Sequence, residues 1–356
     1  MIYSTSAPSV DLNSMSNFTY KWKLTDLEKV EKNGLNVFSC FACGGGSTMG
    51  YKMSGFNVIG CNEIDPEMMA IYRKNHNPKY HYLESIETFK LREDLPKELY
   101  NLDILDGSPP CSSFSMAGSR EKKWGVKKKF REGQADQILD DLFFHYIDLA
   151  HKLRPKVVVA ENVKGMLMGN AKGYVKQIIG LFKSAGYDVQ LFLLNGATMG
   201  LPQKRERVFF VARRRDLELS ELKIAFNEKP ISLVSAIGNE KPIIKDWQDL
   251  RPSLLKYWSK IPPGQSVSKV NESGSGFCRI KAHPNRVHPT ITADLPSMDW
   301  REPRHLGLKE VSLLSSFPLD YKFKDSKSGT YQMGMSVPPL MMHKLSEQIC
   351  IQWFKK

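Results

Sequence analysis

The sequence predicts an α/β protein: a mainly parallel sheet with helices on both faces, followed by a smaller irregular region. Three observations predict it. Short apolar, β-prone runs alternate with segments of helical periodicity for about 180 residues, the pattern of successive βα units. A glycine-rich turn, FACGGG (41–46), separates the first such run from its helix. The alternation stops after residue 215, where Pro, Gly, Ser and Lys mix with isolated aromatics such as Trp247, Tyr257, Trp258 and Phe277.

The elements follow in order. Residues 1–33 form an N-terminal extension, polar and expected to be loose over 1–17. Thr25 and Glu28 fit a capping box before a short helix that stops near Gly34. LNVFSCF (35–41) reads as a buried strand, and Ser47 is placed to cap a helix ending at Gly55. FNVIGCNE (56–63) is the second strand, and PEMMAIYRKNH (66–76), with proline in its first turn, the next helix. LDILDG (102–107) is a third strand. Helical spacing over 134–153 and 173–186 alternates with strands at 155–162, 187–195 and 207–214. Residues 34–215 therefore form one domain, 216–300 a second and irregular one, and 301–356 return to helical periodicity at 305–317 and 339–354. Ligands of such sheets sit at the carboxyl ends of the strands.

Composition bounds the partners. The chain has 356 residues, 41% of them hydrophobic, enough for a sizeable core. No apolar run approaches the ~18 residues of a membrane span. The start lacks a basic stretch followed by an apolar one, so it does not read as a secretion signal. Six scattered cysteines suit a reducing cytoplasm. Cys40 and Cys43 form a lone CxxC without a second ligand pair, so no metal is expected. Lys and Arg number 51 against 38 Asp and Glu, a net +13. That surplus favours an anionic partner such as nucleic acid, though a basic soluble protein carries it equally well.

Four constellations have chemistry in them. In FACGGG the glycines let the backbone approach a ligand, Phe41 offers an apolar face to adenine, and Glu63 ends the next strand where it can accept from ribose hydroxyls. A plain turn is the alternative. GSPPCSSFS (107–115) puts Cys111 on a proline-stiffened loop at a strand end, suited to a thiolate nucleophile or to a buried structural thiol. ENV (161–163) puts Glu161 where a carboxyl can donate a proton, or where it caps a helix. In QKRERVFFVARR (203–214), Arg205 and Arg207 lie two apart and point the same way, suited to a phosphate and a base carbonyl or to a solvated strand edge.

Taken in this order, the motifs resemble the cytosine-C5 DNA methyltransferase family, of the bacterial or phage modification type, from about residue 35 to residue 350. RVHPTITADLP (286–296), RHLGLKEVSLLSSFP (304–318) and GMSVPP (334–339) carry the resemblance to the C-terminal end. It implies the Rossmann-like fold of S-adenosylmethionine-dependent methyltransferases, with 34–215 as catalytic domain, 216–300 as target-recognition domain and 301–356 returning to the catalytic domain. It implies that Cys111 adds to C6 of a flipped cytosine, that Glu161 holds and protonates N3, and that Arg207, with Arg205, steadies the base oxygen and backbone. S-adenosyl-L-methionine would lie against Phe41, Ala42, Gly44, Gly45, Gly46, Glu63, Ile64, Ser85, Ile86, Gly107, Pro109, Ser336 and Val337. Pro109, Pro110, Asn162 and Val163 would border the base. The segment 119–132, with seven basic residues including Lys127, Lys128 and Lys129, would clamp the phosphate backbone. Arg251, Arg279, Lys281 and Asn285 are the expected base readers.

The partner implied is double-stranded DNA, with a cognate restriction endonuclease in the same system, and the protein a cytoplasmic monomer of a bacterial or phage-infected cell. Ser39, Cys43, Ser85, Ser112 and Met335 depart from the family pattern, where aspartate, glycine, aspartate, glutamine and asparagine are usual. Methylation of tRNA is the rival within this chemistry. A catalytically silent DNA-binding relative and a dinucleotide dehydrogenase are rivals outside it; the turn lacks the GxGxxG spacing of the latter.

Overall fold

The computed structural model describes residues 18–110, 127–128, 137–138, 141–169 and 171–355. Cys111, Ser112, Lys129 and most of the basic segment 119–132 lie outside these residues. The chain starts the sheet with β1 (Asn36–Cys40), α1 (Gly46–Met53), β2 (Asn57–Glu63), α2 (Pro66–His76), β3 (Tyr80–Leu83), α3 (Ile86–Phe89) and β4 (Ile104–Gly107). β5 (Lys127–Lys128) pairs antiparallel with β6 (Gln137–Ile138). Then come α4 (Leu142–Leu153), β7 (Val157–Val163), α5 (Ala171–Ser184), β8 (Tyr187–Asn195), β9 (Gln203–Lys204) and β10 (Glu206–Arg214). The remainder holds α6 (Leu233–Ile237), α7 (Pro252–Trp258), β11 (His288–Pro289), α8 (Leu308–Leu314), α9 (Ser326–Met335) and α10 (Pro339–Ile349).

Seven strands form one sheet in the order β3-β2-β1-β4-β7-β10-β8, all parallel except β10, which runs against β7 and β8. The order reverses between β1 and β4, and a crevice opens at the carboxyl ends of strands on either side of such a reversal. Adjacent residues of a strand face opposite layers. Thus Phe38, Leu105, Val158 and Phe210 join the core under α4 and α5, while Val37, Ile104, Val157 and Val211 join the one under α1 and α10. Burial on both faces explains why the central strands read as near-continuous apolar runs. α1 crosses α10 so closely that a Cβ on Gly50 would lie 2.5 Å from Met342 Cβ and 2.6 Å from the Pro339 carbonyl oxygen.

Several sequence expectations are corrected. The first helix is a tight 3-10 segment, Leu24–Lys29, and Asp26, not Glu28, reaches back to the Lys23 N–H at 2.9 Å. α1 is opened by Gly45 in the left-handed region (φ 70°), not by Ser47. The helix expected over 134–153 spans Leu142–Leu153, and Gln137–Ile138 is a strand. β3 and α9 were not expected at all. β3 is a four-residue edge strand that alternates between half-buried and exposed positions. α9 has the composition SKSGTYQMGM, whose small and polar residues present no apolar stripe.

Beyond β10, Leu222 and Ile224 still pack on the main sheet's core. A separate apolar cluster is built from Leu250, Ile261, Val267 and Met298, with Leu254, Tyr257 and Trp258 against it. No helix among the described residues is long and apolar enough to cross a membrane.

Candidate active site

The turn after β1 is shaped by what it touches. Phe41 and Cys43 adopt left-handed φ values of 53° and 45°, which non-glycine residues rarely do. Position 43 is thus one where glycine would be unstrained, consistent with its being the family's usual residue there. Gly44 and Gly45 rest on side chains and Gly46 on a backbone carbonyl. A Cβ on Gly44 would meet Gln332 at 3.3 Å, one on Gly45 would meet His76 Nε2 at 2.2 Å, and one on Gly46 would meet the Val337 carbonyl oxygen at 2.0 Å. The Gly44 carbonyl accepts from the Tyr321 hydroxyl at 2.7 Å. Both ring nitrogens of His76, both amide atoms of Gln332 and the Ser336 hydroxyl are buried without a hydrogen-bond partner. Burial holds His76 far below the usual imidazole range, so the ring is neutral.

Glu63, at the end of β2, organises the other side of the turn. Its Oε2 accepts from the Cys43 N–H at 2.7 Å, and its Oε1 accepts from the N–H groups of Ile64 and Asp65 at 2.8 and 2.9 Å. Burial raises its carboxyl, partly offset by these three donors. Each oxygen keeps acceptor capacity for a further hydroxyl. Burial pushes the Cys43 thiol up to about 12, so it is not a thiolate at neutral pH. Ser85 caps α3 by accepting from the Thr88 N–H at 3.1 Å, and Ile86 is buried in the sheet's core. Gly107 lies flat against the Tyr146 ring, where a Cβ would be 2.6 Å from Cε2.

The second half of the site lies on β4, β7 and β10. Glu161 and Arg207 are diagonal neighbours across β7 and β10, and Arg207 Nε pairs with Glu161 Oε1 at 2.8 Å. Burial pulls the Arg207 guanidinium down, opposed by Glu161. Asn162 Nδ2 donates to the Pro109 carbonyl at 2.9 Å, and its Oδ1 accepts from the Val163 N–H at 2.8 Å. That pair ties Pro109, in the loop after β4, to the end of β7. Ser39 Oγ donates to Asp106 Oδ2 at 2.8 Å. A carboxylate therefore remains in the layer from which Ser39 removed the usual aspartate, carried by β4 instead of β1.

Two expectations about basic residues are corrected. Arg205 does not share the direction of Arg207. It is fully buried, with Nη1 on the Ile291 carbonyl and Nη2 on the carbonyls of Gly334 and Ser336, at 2.9–3.0 Å. Those three bonds occupy the fork that was to hold the base, so Arg205 braces the 334–336 segment behind the glycine turn. Among the expected readers, Lys281 is buried 3.9 Å over the Trp258 ring and donates to the Trp258 carbonyl, and Arg279 pairs with Asp294 at 2.7 Å. Arg251 and Asn285 are exposed. His76, Gln332, Tyr321 and Asp106 were missed. Each is remote in sequence from the turn it supports or lies inside a strand, where a polar residue carries no local signal of purpose.

A sheet that reverses beside a glycine turn, with a carboxylate ending the next strand, gives the chain the Rossmann-like architecture of the methyltransferases. The sequence profile of the C-5 cytosine-specific DNA methylases matches residues 35–350, and the chain belongs to that family. It is 35% identical over 350 residues to the type II methyltransferase M.NgoPII of Neisseria gonorrhoeae, covering 89% of this chain and 96% of that protein. It is 35% identical over 251 residues to M.FnuDI of Fusobacterium nucleatum, covering 70% of this chain and 62% of that one. The fold is similar to that of a candidate DNA modification methyltransferase encoded within an E. coli prophage, with a TM-score of 0.67, 21% identity, and coverage of 90% of this chain and 100% of that chain.

Proposed function

We propose that this cytosine-C5 DNA methyltransferase uses S-adenosyl-L-methionine to methylate a cytosine flipped out of a specific duplex sequence, within a type II restriction-modification system. The buried Glu161–Arg207 pair, at the strand edge that also carries the glycine turn, is the observation that favours it most. The turn fits a nucleoside cofactor. Its glycines keep the turn free of side chains so that it packs directly on its supports, the Ser336 and Gln332 polar atoms beneath it are buried without a partner, and Glu63 keeps spare acceptors for a polar ligand. Phe41, Glu63 and Ser336 would hold the cofactor, which supplies a methyl group on a sulfonium.

The chain's own groups do the rest. Target carbons are inaccessible in stacked duplex, so the base enters the site flipped. Glu161 holds a proton at the base N3, and Arg207 fixes the direction of that carboxyl. The Asn162–Pro109 bond sets the path of the loop to Cys111. The Cys111 thiolate forms a bond to C6, the ring electron pair moves to C5, C5 takes the methyl group and loses its proton, and the sulfur is eliminated. The 216–300 region, whose later part has its own small core, is the part proposed to read the sequence, through groups such as Arg251 and Asn285. Lys127, Lys128 and Lys129 would contact phosphates.

The test is transfer of labelled methyl from S-adenosylmethionine to mixed-sequence duplex DNA, with tRNA in parallel. The expected product is 5-methylcytosine in DNA, with Cys111→Ala reducing turnover by about 10³-fold or more. Label in adenine, label in tRNA alone, or equal label with Cys111→Ala would overturn the proposal.

A further inference from the structure

We infer that Asp106 determines cofactor charge specificity: its buried carboxylate favours the cationic methyl donor over the neutral thioether left after transfer. The inference rests on the cofactor reading above.

Asp106 is the third residue of β4, paired with Ser39 of β1 and Val159 of β7. It therefore lies in the middle of the sheet at the point of reversal. Its chain neighbour Gly107 ends the strand, β1 leads from Ser39 into the glycine turn, and β7 leads from Val159 to Glu161. The side chain is 2% exposed. Ser39 Oγ donates to Oδ2 at 2.8 Å and the Tyr51 hydroxyl donates to Oδ1 at 3.3 Å.

What surrounds this carboxyl is informative. Ser39 from β1 and Tyr51 and Ser47 from α1 hydrogen-bond to it, and Cys40, Tyr146, Tyr72 and Glu161, on β1, α4, α2 and β7, are near enough to feel its charge. Every one is neutral or acidic, and among the described residues no cation forms an ion pair with Asp106. Every other deeply buried acid near the strand ends is better served: Glu161 has Arg207, and Glu63 has three N–H donors. Burial, reinforced by Glu161, raises the Asp106 carboxyl to about 7. A group so poised exchanges its proton in the neutral range and answers to a charge placed nearby.

The reaction supplies such a charge and then removes it. The donor carries one more positive charge than its spent form, because the methyl leaves as a cation equivalent and the sulfur keeps the bonding pair; the C5 proton lost to solvent restores the charge of the base. A buried carboxylate at the sheet's reversal, one residue before the end of β4, attracts the donor and is indifferent to the product. Product release is thereby eased without loosening donor binding. Protonation of Asp106 cancels the attraction, so donor affinity falls as pH drops through about 7, while product affinity does not change.

Calorimetric titration of the full chain with S-adenosylmethionine and with S-adenosylhomocysteine, from about pH 6 to about pH 8.5, tests this. Wild type should lose preference for the donor toward the acid end. Asp106→Asn should weaken the donor about tenfold at the alkaline end, leave the product within about twofold, and flatten the pH dependence. Ser39→Ala removes a donor to the carboxylate and should move the pH at which donor binding weakens upward. It decides the matter if Asp106→Asn does not fold. An unchanged ratio of the two affinities in Asp106→Asn, or equal weakening of both, overturns the inference while the cofactor reading stands. Wild-type protein that binds neither ligand overturns both.

Discussion

Two buried acidic regions of this molecule are handled in opposite ways. Around Asp299 and Glu310 every carboxylate meets guanidinium groups. Arg304 Nη1 donates to Glu310 Oε2 at 2.8 Å, its Nε donates to Glu302 at 2.7 Å, and Asp299 pairs with both Arg301 and Arg304. The Arg304 fork also lies 4.7 Å over the Trp247 ring, and Glu310 accepts the Gly307 N–H at 2.7 Å as α8 begins. Burial alone would raise the Glu310 carboxyl, but Arg304, the Gly307 N–H and Arg301 hold it below its ordinary value. Among the described residues Asp106 has only hydroxyl donors. Compensated charges fix the 299–310 corner against Trp247 and cannot respond to anything. The uncompensated one lies at the reversal of the sheet, buried with hydroxyl partners from Ser39 and Tyr51.

Breaking the compensated region should cost most. Glu310→Ala leaves Arg301 and Arg304 short of a partner, and should lower unfolding stability by about 3–5 kcal/mol in urea denaturation. A loss below about 1 kcal/mol would mean the cluster is held by packing alone. The second effect is pH-dependent. The folded Asp106 carboxyl titrates well above the ordinary aspartate value of about 4, so its burial costs nothing in acid and progressively more as pH rises toward 7. Without ligand, Asp106→Asn should therefore gain a few kcal/mol relative to wild type at about pH 8 and almost nothing at about pH 4. Parallel stability–pH curves for the two proteins would contradict the picture. The smallest effect belongs to Lys281. Lys281→Met, which loses the charge over Trp258 but keeps the stem, should cost about 1 kcal/mol in thermal unfolding and leave methylation specificity unchanged. Altered specificity would return Lys281 to the readers of sequence.

The sheet was legible because its central strands are buried on both faces and bounded by glycine and proline, so they stand out from the helical spacing between them. The positions of the glycine turn, Glu63 and Glu161 at strand ends were legible because apolar runs give way there to glycine and acidic residues. What escaped has physical causes. Tyr80–Leu83 is too short and too exposed to differ from loop. α9 packs through small residues against other elements and shows no stripe. Arg205 looked like a twin of Arg207, but it precedes the strand that carries Arg207, and only the fold reveals the three carbonyls it meets. Asp106 and Ser39 are 67 positions apart, and their contact exists only once β1 and β4 are neighbours.

The glycine turn at 44–46 lies on Gln332, Val337 and Ser336, contributed by residues almost three hundred positions later. On the ribosome the N-terminal strands emerge long before those supports exist. A nascent chain carries its cofactor motif without the floor that shapes it, and methylation can begin only after synthesis has passed α9 and the start of α10. For an enzyme that marks DNA, this makes activity a property of the finished polypeptide and denies it to interrupted ones.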